Sequence, residues 1–265
     1  MKRWIPFVKN NPLVAVVRLQ GVIASGPRAT LSDAALAPMI EKAFRRGKPA
    51  AVALVINSPG GSPVQSSLIA ARIRRLSEER GVPVHAFVED AAASGGYWLA
   101  SAADKIWVDP SSIVGSIGVI SSGFGAHVFL ARQGIERRVH TAGRSKSFLD
   151  PFKPENEEDV ARLSRLLDQL HETFIAHVRD RRGDVLKQDE AIFTGEFWAG
   201  QKAVDLGLAD GMGHLVPKMK ELFGDKTRFA RYGIRRPLLA RLGANVVEDG
   251  LAQIEERAAF ARLGL

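Results

Sequence analysis

The sequence predicts an α/β protein with a mostly parallel sheet and flanking helices. Three observations carry this expectation. Segments of strand and helix character alternate as β-α-β-α-β over residues 13–88, the pattern of a parallel sheet joined by right-handed crossovers. The run "AAVALVI" (50–56) is apolar throughout, as a strand buried on both faces requires. It stops abruptly at "NSPGGSP", whose Pro and Gly residues punctuate a strand-to-helix turn.

The elements follow in order. "LVAVVRL" (13–19) is a first strand, closed by Gly21 and "SGP" (25–27). "LSDAALAPMIEKAFRRG" (31–47) has a serine start, helical spacing and a terminal glycine, the signals of a capped helix. Residues 64–80 place Val64, Leu68, Ala71 and Leu76 at roughly helical intervals, and "VPVHAFV" (82–88) is the next strand. From Ser94, "SGGYWLASAAD" suits a helix that packs closely through small residues. "KIWVDP" (105–110) and "SIVGSIGVI" (112–120) read as short strands or a turn-rich ribbon, "FGAHVFLARQG" (124–134) as helix and "IERRVHTAG" (135–143) as extended chain. Residues 155–182 form a long amphipathic helix. Its first turn carries Glu155, Glu157, Glu158 and Asp159 and its last Arg179, Arg181 and Arg182, matching the helix macrodipole.

A seam near residue 225 separates a body (1–225) from a basic amphipathic tail (226–265). The tail is expected to pack on the body or on a second subunit, with a membrane-surface helix as the alternative.

Hydrophobic residues make up 46% of the 265 and charged residues 25%, the balance of a folded soluble protein rather than a disordered one. The net charge is +8 and the pI near 10.0. A solvated basic surface accounts for this, with a peripheral contact to anionic lipid as the alternative. Nucleic acid is not expected as a partner, because no basic run is interleaved with aromatic residues as a stacking platform requires. There are no cysteines, which excludes disulfides, iron–sulfur clusters and a thiol nucleophile. The start "MKRWIPFVKNNPLVAVVRLQG" makes a poor signal peptide, since Arg18 breaks its apolar run, and no window approaches 18 apolar residues. A cytoplasmic protein, free or attached at the membrane surface, is the default expectation.

Two stretches could carry chemistry together. In "INSPGGSP", Gly60 and Gly61 allow left-handed backbone and leave amide N–H groups uncovered, as binding a developing oxyanion demands; a plain strand-to-helix turn reads equally well. In "VEDAAASGGYWLAS" (88–101), Ser94 stands between three alanines and two glycines. Alone, a serine at a helix start is ordinarily an N-cap. The alanines and the glycine turn upstream favour instead a nucleophile approached closely by substrate, with Gly95 as a second amide donor.

A serine nucleophile needs a base. None of the six histidines, His85, His127, His140, His171, His177 and His214, stands in a marked context, and His171 and His177 on the long helix read as solvated or capped. The G-x-S-x-G elbow is imperfect, because Ala92 holds the place of the first glycine. The other base is lysine, which must be held neutral by burial away from water. "TAGRSKSFLDPF" offers Lys146 beside apolar Phe148, Leu149 and Phe152, with Ser145, Ser147 or a remote serine to hold the amine; a lone lysine is otherwise a surface residue. The carboxylates show no metal-ligand spacing and SPGG lacks the Lys-Ser/Thr of a phosphate loop, so neither metal nor cofactor is expected.

Four motifs in order, "LVINSPGGSPVQS", "AAASGGYWLASAADKIWVDPSSIVGSIGVI", "TAGRSKSFLDPF" and "FTGEFWAGQKAVDLGLADGMG", resemble the signal peptide peptidase A (protease IV) family of serine proteases over about residues 12 to 224. The resemblance implies a crotonase-like α/β fold related to the caseinolytic protease, and a Ser–Lys dyad. By motif, Ser94 matches the nucleophile, Lys146 the general base, and Ser116 in "GSIGVI" the serine that orients the amine. Gly95, with Gly61 or Gly60, would supply the oxyanion hole. The chain is expected to hold one copy of the fold, without the membrane anchor of other members. Ring-forming members build sites at subunit contacts, so the resemblance also implies a homo-oligomer in which Lys146 could serve Ser94 of a neighbour. The expected function is that of an endopeptidase acting on short or membrane-derived peptides. The alternatives are an acyl-CoA hydratase or isomerase on the same scaffold, and a non-catalytic peptide-binding scaffold.

Overall fold

In the computed structural model, residues 11–26, 31–143, 146–233, 254 and 257–265 are described. Ser145 and most of the proposed tail therefore lie outside the described residues. Strand β1 (Leu13–Gln20) leads to helix α1 (Asp33–Arg45), β2 (Ala51–Ser58), α2 (Pro63–Arg80) and β3 (Val84–Ala93). The parallel order of these strands is the one the sequence predicts: β1 pairs β2 and β2 pairs β3, all parallel. β2 is buried at every position. Ser32 caps α1 by accepting from the Ala35 N–H, and Ser62 caps α2 by accepting from that of Gln65.

β3 runs further than the sequence suggests. Its strand includes Ala91, Ala92 and Ala93, so the three alanines are sheet rather than connection. A register shift between β2 and β3 near Ile56 and Ser58 accommodates the extra residues. Asn57 spans the irregularity, donating to the Asp90 carboxylate and accepting from the Ala91 N–H. Below the shift β3 pairs β4 (Lys105–Val108), and above it β5 (Ile113–Gly115). β6 (Phe197–Ala199) joins β5 antiparallel, β7 (Gly211–Met212) extends β4, and β8 (Arg228–Tyr232), past position 225, pairs β1 on the far edge. The sheet is thus mostly parallel, with its upper edge turned at β3.

Helix α3 (Gly95–Ser101) follows β3 without a loop and is buried at every residue. The long helix α5 (Glu157–Arg182) lies against it: Phe174 and His177 both stack on the Trp98 ring, at centroid distances of 4.7 and 4.9 Å. Arg181 donates to the carbonyls of Ser101 and Ala103, capping the end of α3. Arg182 donates to the Gly207 carbonyl and pairs with Asp210 at 2.9 Å. Asp210 also accepts from the Ile106 N–H of β4. One buried arginine therefore ties α5 to the turn before β7 and to β4. The short helices α6 (Gly200–Asp205) and α7 (Leu215–Phe223) complete the covering of the sheet.

Between β5 and α5 the chain leaves the body. Residues 135–143 form no strand, and α4 (His127–Arg132) has no buried residue. This arm is closed on itself by the Ala126 N–H donating to the Pro151 carbonyl at 2.6 Å and by an Arg137–Asp150 ion pair at 3.0 Å. Among the described residues, no helix is long and apolar enough to cross a membrane.

Candidate active site

The ends of β2 and β3 converge on one point. Ser94 occupies the N-cap position of α3 with φ 51° and ψ −121°, backbone that a side-chain-bearing residue adopts only under constraint. The constraint is visible: the Ser94 N–H donates to the Gly115 carbonyl at 2.8 Å, and its own carbonyl accepts from the N–H groups of Tyr97 and Trp98. Its side chain makes no capping hydrogen bond. Ser94 is the only residue between Ala91 and Ala103 that is not buried. An N-capping serine would turn its oxygen back onto the helix. This one leaves it to the cleft.

The Pro59–Gly60–Gly61 turn lies against that serine. A Cβ on Gly60 would stand 2.8 Å from the Ser94 Cβ and 2.9 Å from the Gly95 nitrogen. Gly60 and Gly61 have φ of 104° and 139°, which glycine alone adopts at no steric cost. A Cβ on Gly61 would strike the Ile23 carbonyl, and one on Gly96 the Ser58 carbonyl. Small residues here are thus a packing requirement between the two strand ends.

The amides differ in what they have left to offer. The Gly60 N–H faces the Ser58 Oγ at 3.3 Å, and the Gly60 carbonyl accepts from the Ile23 N–H. Gly95, the first residue of α3, has no carbonyl four residues back within its helix. The Gly61 nitrogen lies 3.4 Å from where a Gly95 Cβ would be. Gly61 and Gly95 therefore bring two backbone amides together beside Ser94, while Gly60 supplies the space.

A cleft of about 670 Å³ opens over this point. Ser94, Gly60, Gly61, Gly95 and Ser116 all line it. Ser116 has a left-handed φ of 52°, fixed by its N–H donating to the Glu196 carbonyl at 2.7 Å. The structure of the single chain does not add Lys146 to this group. That residue is exposed on a turn, its N–H donating to the Gly143 carbonyl, and it does not line the cleft. The expected burial fails because the arm rests on the start of α5, where the Leu149 N–H donates to Asp159 and Arg162 lies over the Phe148 ring, and among the described residues this leaves Lys146 uncovered. Ser147 donates to Asp150 and is engaged there.

Residues assigned no role in the site from sequence complete the cleft. Leu170, His171 and Phe174 reach it from α5, and Thr194, Gly195 and Phe197 from the turn into β6. His171 is not solvated as expected: its Nε2–H donates to the Ile117 carbonyl at 2.9 Å, holding the segment that carries Ser116. Nor is His177, whose Nε2–H faces the Ser101 Oγ at 3.0 Å and the Trp98 carbonyl at 3.3 Å. Burial holds its imidazolium pKa down to about 4, so it is a neutral wedge behind the site. The polar composition of α5 hid this, since only a three- or four-residue spacing of Leu170, His171, Phe174, His177 and Arg181 signals a common face.

Comparison with known proteins bears on the family and the fold. Residues 77–223 match the model of "Peptidase family S49". A Brucella melitensis protein named Na(+)/H(+) antiporter NhaA is 45% identical across the whole of this chain, which covers 39% of that protein. The chloroplastic serine protease SPPA of Arabidopsis thaliana is 31% identical over 81% of this chain and 33% of its own length. The chain thus spans well under half the length of these two relatives. A solved structure of the 1510-N membrane-bound stomatin-specific protease, in a mutant form, overlays 86% of the chain with a TM-score of 0.52 at 13% identity, a likeness of fold. The family match takes in Ser94, the cleft-lining part of α5 and the arm between them, and on it the chain belongs to peptidase family S49.

Proposed function

We propose that the chain is a serine endopeptidase in which Ser94 is the nucleophile. The observation that carries this is the strained, uncapped Ser94 set against the amides of Gly61 and Gly95. Ser94 Oγ attacks the peptide carbonyl while the Lys146 amine takes its proton. The two amides stabilise the oxyanion, which removing a single donor would weaken by about 3 kcal/mol. The proton then passes to the leaving amine, and water, activated the same way, releases the acyl group from Ser94. Ser116 holds the lysine amine. An acyl-CoA hydratase would use the amides and leave the strained serine idle.

The arm supports assembly as a homo-oligomer. Phe124 is 93% exposed and Ile120 75%, on the segment that ends in Lys146. A second copy that covers these side chains would bury Lys146 and bring it to a neighbour's Ser94. The substrate is a peptide or protein chain. The antiporter name of the Brucella relative is not carried over to this chain, which covers 39% of that protein and matches the model of a peptidase family over residues 77–223. Mixing inactive Ser94→Ala with inactive Lys146→Ala tests both claims: peptidase activity restored on mixing supports a site shared between copies. No restoration from the two inactive variants refutes the shared site, and full activity of either variant alone refutes the dyad.

A further inference from the structure

The alanines before Ser94 face two ways. Ala92 joins the main core, whereas Ala91 and Ala93, on the opposite face of β3, form a separate apolar cluster with Leu263. Ile113 and Phe260 pack against it. Leu263 is only 8% exposed. The same segment reaches the cleft, since Ala259, Arg262 and Leu263 line it together with Ser94, Gly61 and Ser116. Residues 257–261 are helical, and the turn closes at Gly264, φ 78°, with the N–H groups of Leu263 and Leu265 both donating to the Phe260 carbonyl. This is a glycine-capped helix end.

We infer that the apolar pocket on Ala91, Ala93 and Ile113 is a peptide-docking subsite, and that segment 257–265 occupies it as a resident plug over Ser94. The ligand class is a short, basic, amphipathic peptide that places a leucine in the pocket. The inference deepens the peptidase reading and rests on it for its consequence, which is self-occlusion. The plug is not a substrate: the N–H groups of Leu263, Gly264 and Leu265 are bonded within the segment, so it cannot pair along a strand edge as an extended peptide does. A substrate must displace Leu263, and the segment, tethered to the same chain, competes at high effective concentration.

The test uses the full chain and a fluorescein-labelled peptide, RAAFARLGL, copying residues 257–265. Leu263→Asp should vacate the pocket, so anisotropy should show the peptide binding this variant on the order of tenfold more tightly than the wild type. The peptide carrying the same Leu-to-Asp change should not compete. Equal binding to both chains, or to neither, overturns the inference. The unaltered chain gives an independent check that needs no variant. So short a helix is marginal alone in water, so slowed hydrogen exchange at Leu263 and Leu265 requires docking, and free-peptide rates there overturn it. Fluorophosphonate labelling of Ser94 should also be faster in Leu263→Asp. Peptide binding without labelling in either chain upholds the subsite and counts against the peptidase reading alone.

Discussion

Gly60 and Ser94 are in contact through space that only glycine leaves: a Cβ at position 60 would lie 2.8 Å from the Cβ of Ser94. The turn after β2 and the start of α3 are therefore one packed unit. Gly60→Ala should displace Ser94 and abolish peptidase activity, and the left-handed backbone alone should cost about 1–3 kcal/mol of stability. Gly81→Ala is the control. Gly81 also has left-handed φ, 61°, at the end of α2, but with open space around it. It should lose about 1 kcal/mol with activity unchanged. Urea midpoints and peptide hydrolysis, measured side by side, separate the two.

His177 makes stability depend on pH. Its folded pKa, about 4, lies below the ordinary 6.5 because burial penalises the charged ring. Between those values the unfolded chain binds the proton and the folded chain does not, so stability rises with pH there. His177 favours the fold fully above pH 6.5, and this contribution falls away as the pH drops toward 4, by up to about 3 kcal/mol. His177→Gln, which keeps a donor but does not titrate, should flatten that part of the curve. Denaturant titrations of both proteins across the range between those two pKa values check it; parallel curves would contradict it.

The Arg182–Asp210 pair is buried, with side chains 4% and 9% exposed. Asp210→Ala would leave Arg182 charged and unpaired, at a cost of about 3–5 kcal/mol. Because Arg182 anchors α5, whose Phe174 and His177 brace Trp98, activity should fall with stability. Arg75→Ala, at an exposed ion pair with Glu79, should change the unfolding midpoint little.

Much of this fold is legible in the sequence where one segment decides its own state. The apolar run of β2, the serine cap of α1, and the acidic and basic ends of α5 are local signals, and each stands within a few residues of its expected place. What is not local was not legible. Alanine favours helix, so Ala91–Ala93 does not announce a strand; pairing with β5 makes it one. His171 and His177 read as solvated or capped because the face they share is defined by α3, which lies far away in sequence. The glycines beside Ser94 could be anticipated, since both motifs advertise backbone freedom. The exposure of Lys146 could not, because burial of an arm depends on the surface that covers it.

Ser94 is the proposed nucleophile, activated within this cleft. Incubation of the chain with a fluorophosphonate, followed by peptide mapping, tests it most directly. A single adduct on Ser94 is expected, absent from Ser94→Ala and slowed in Lys146→Ala. A folded wild-type chain that acquires no adduct, or acquires one on another residue, would contradict it.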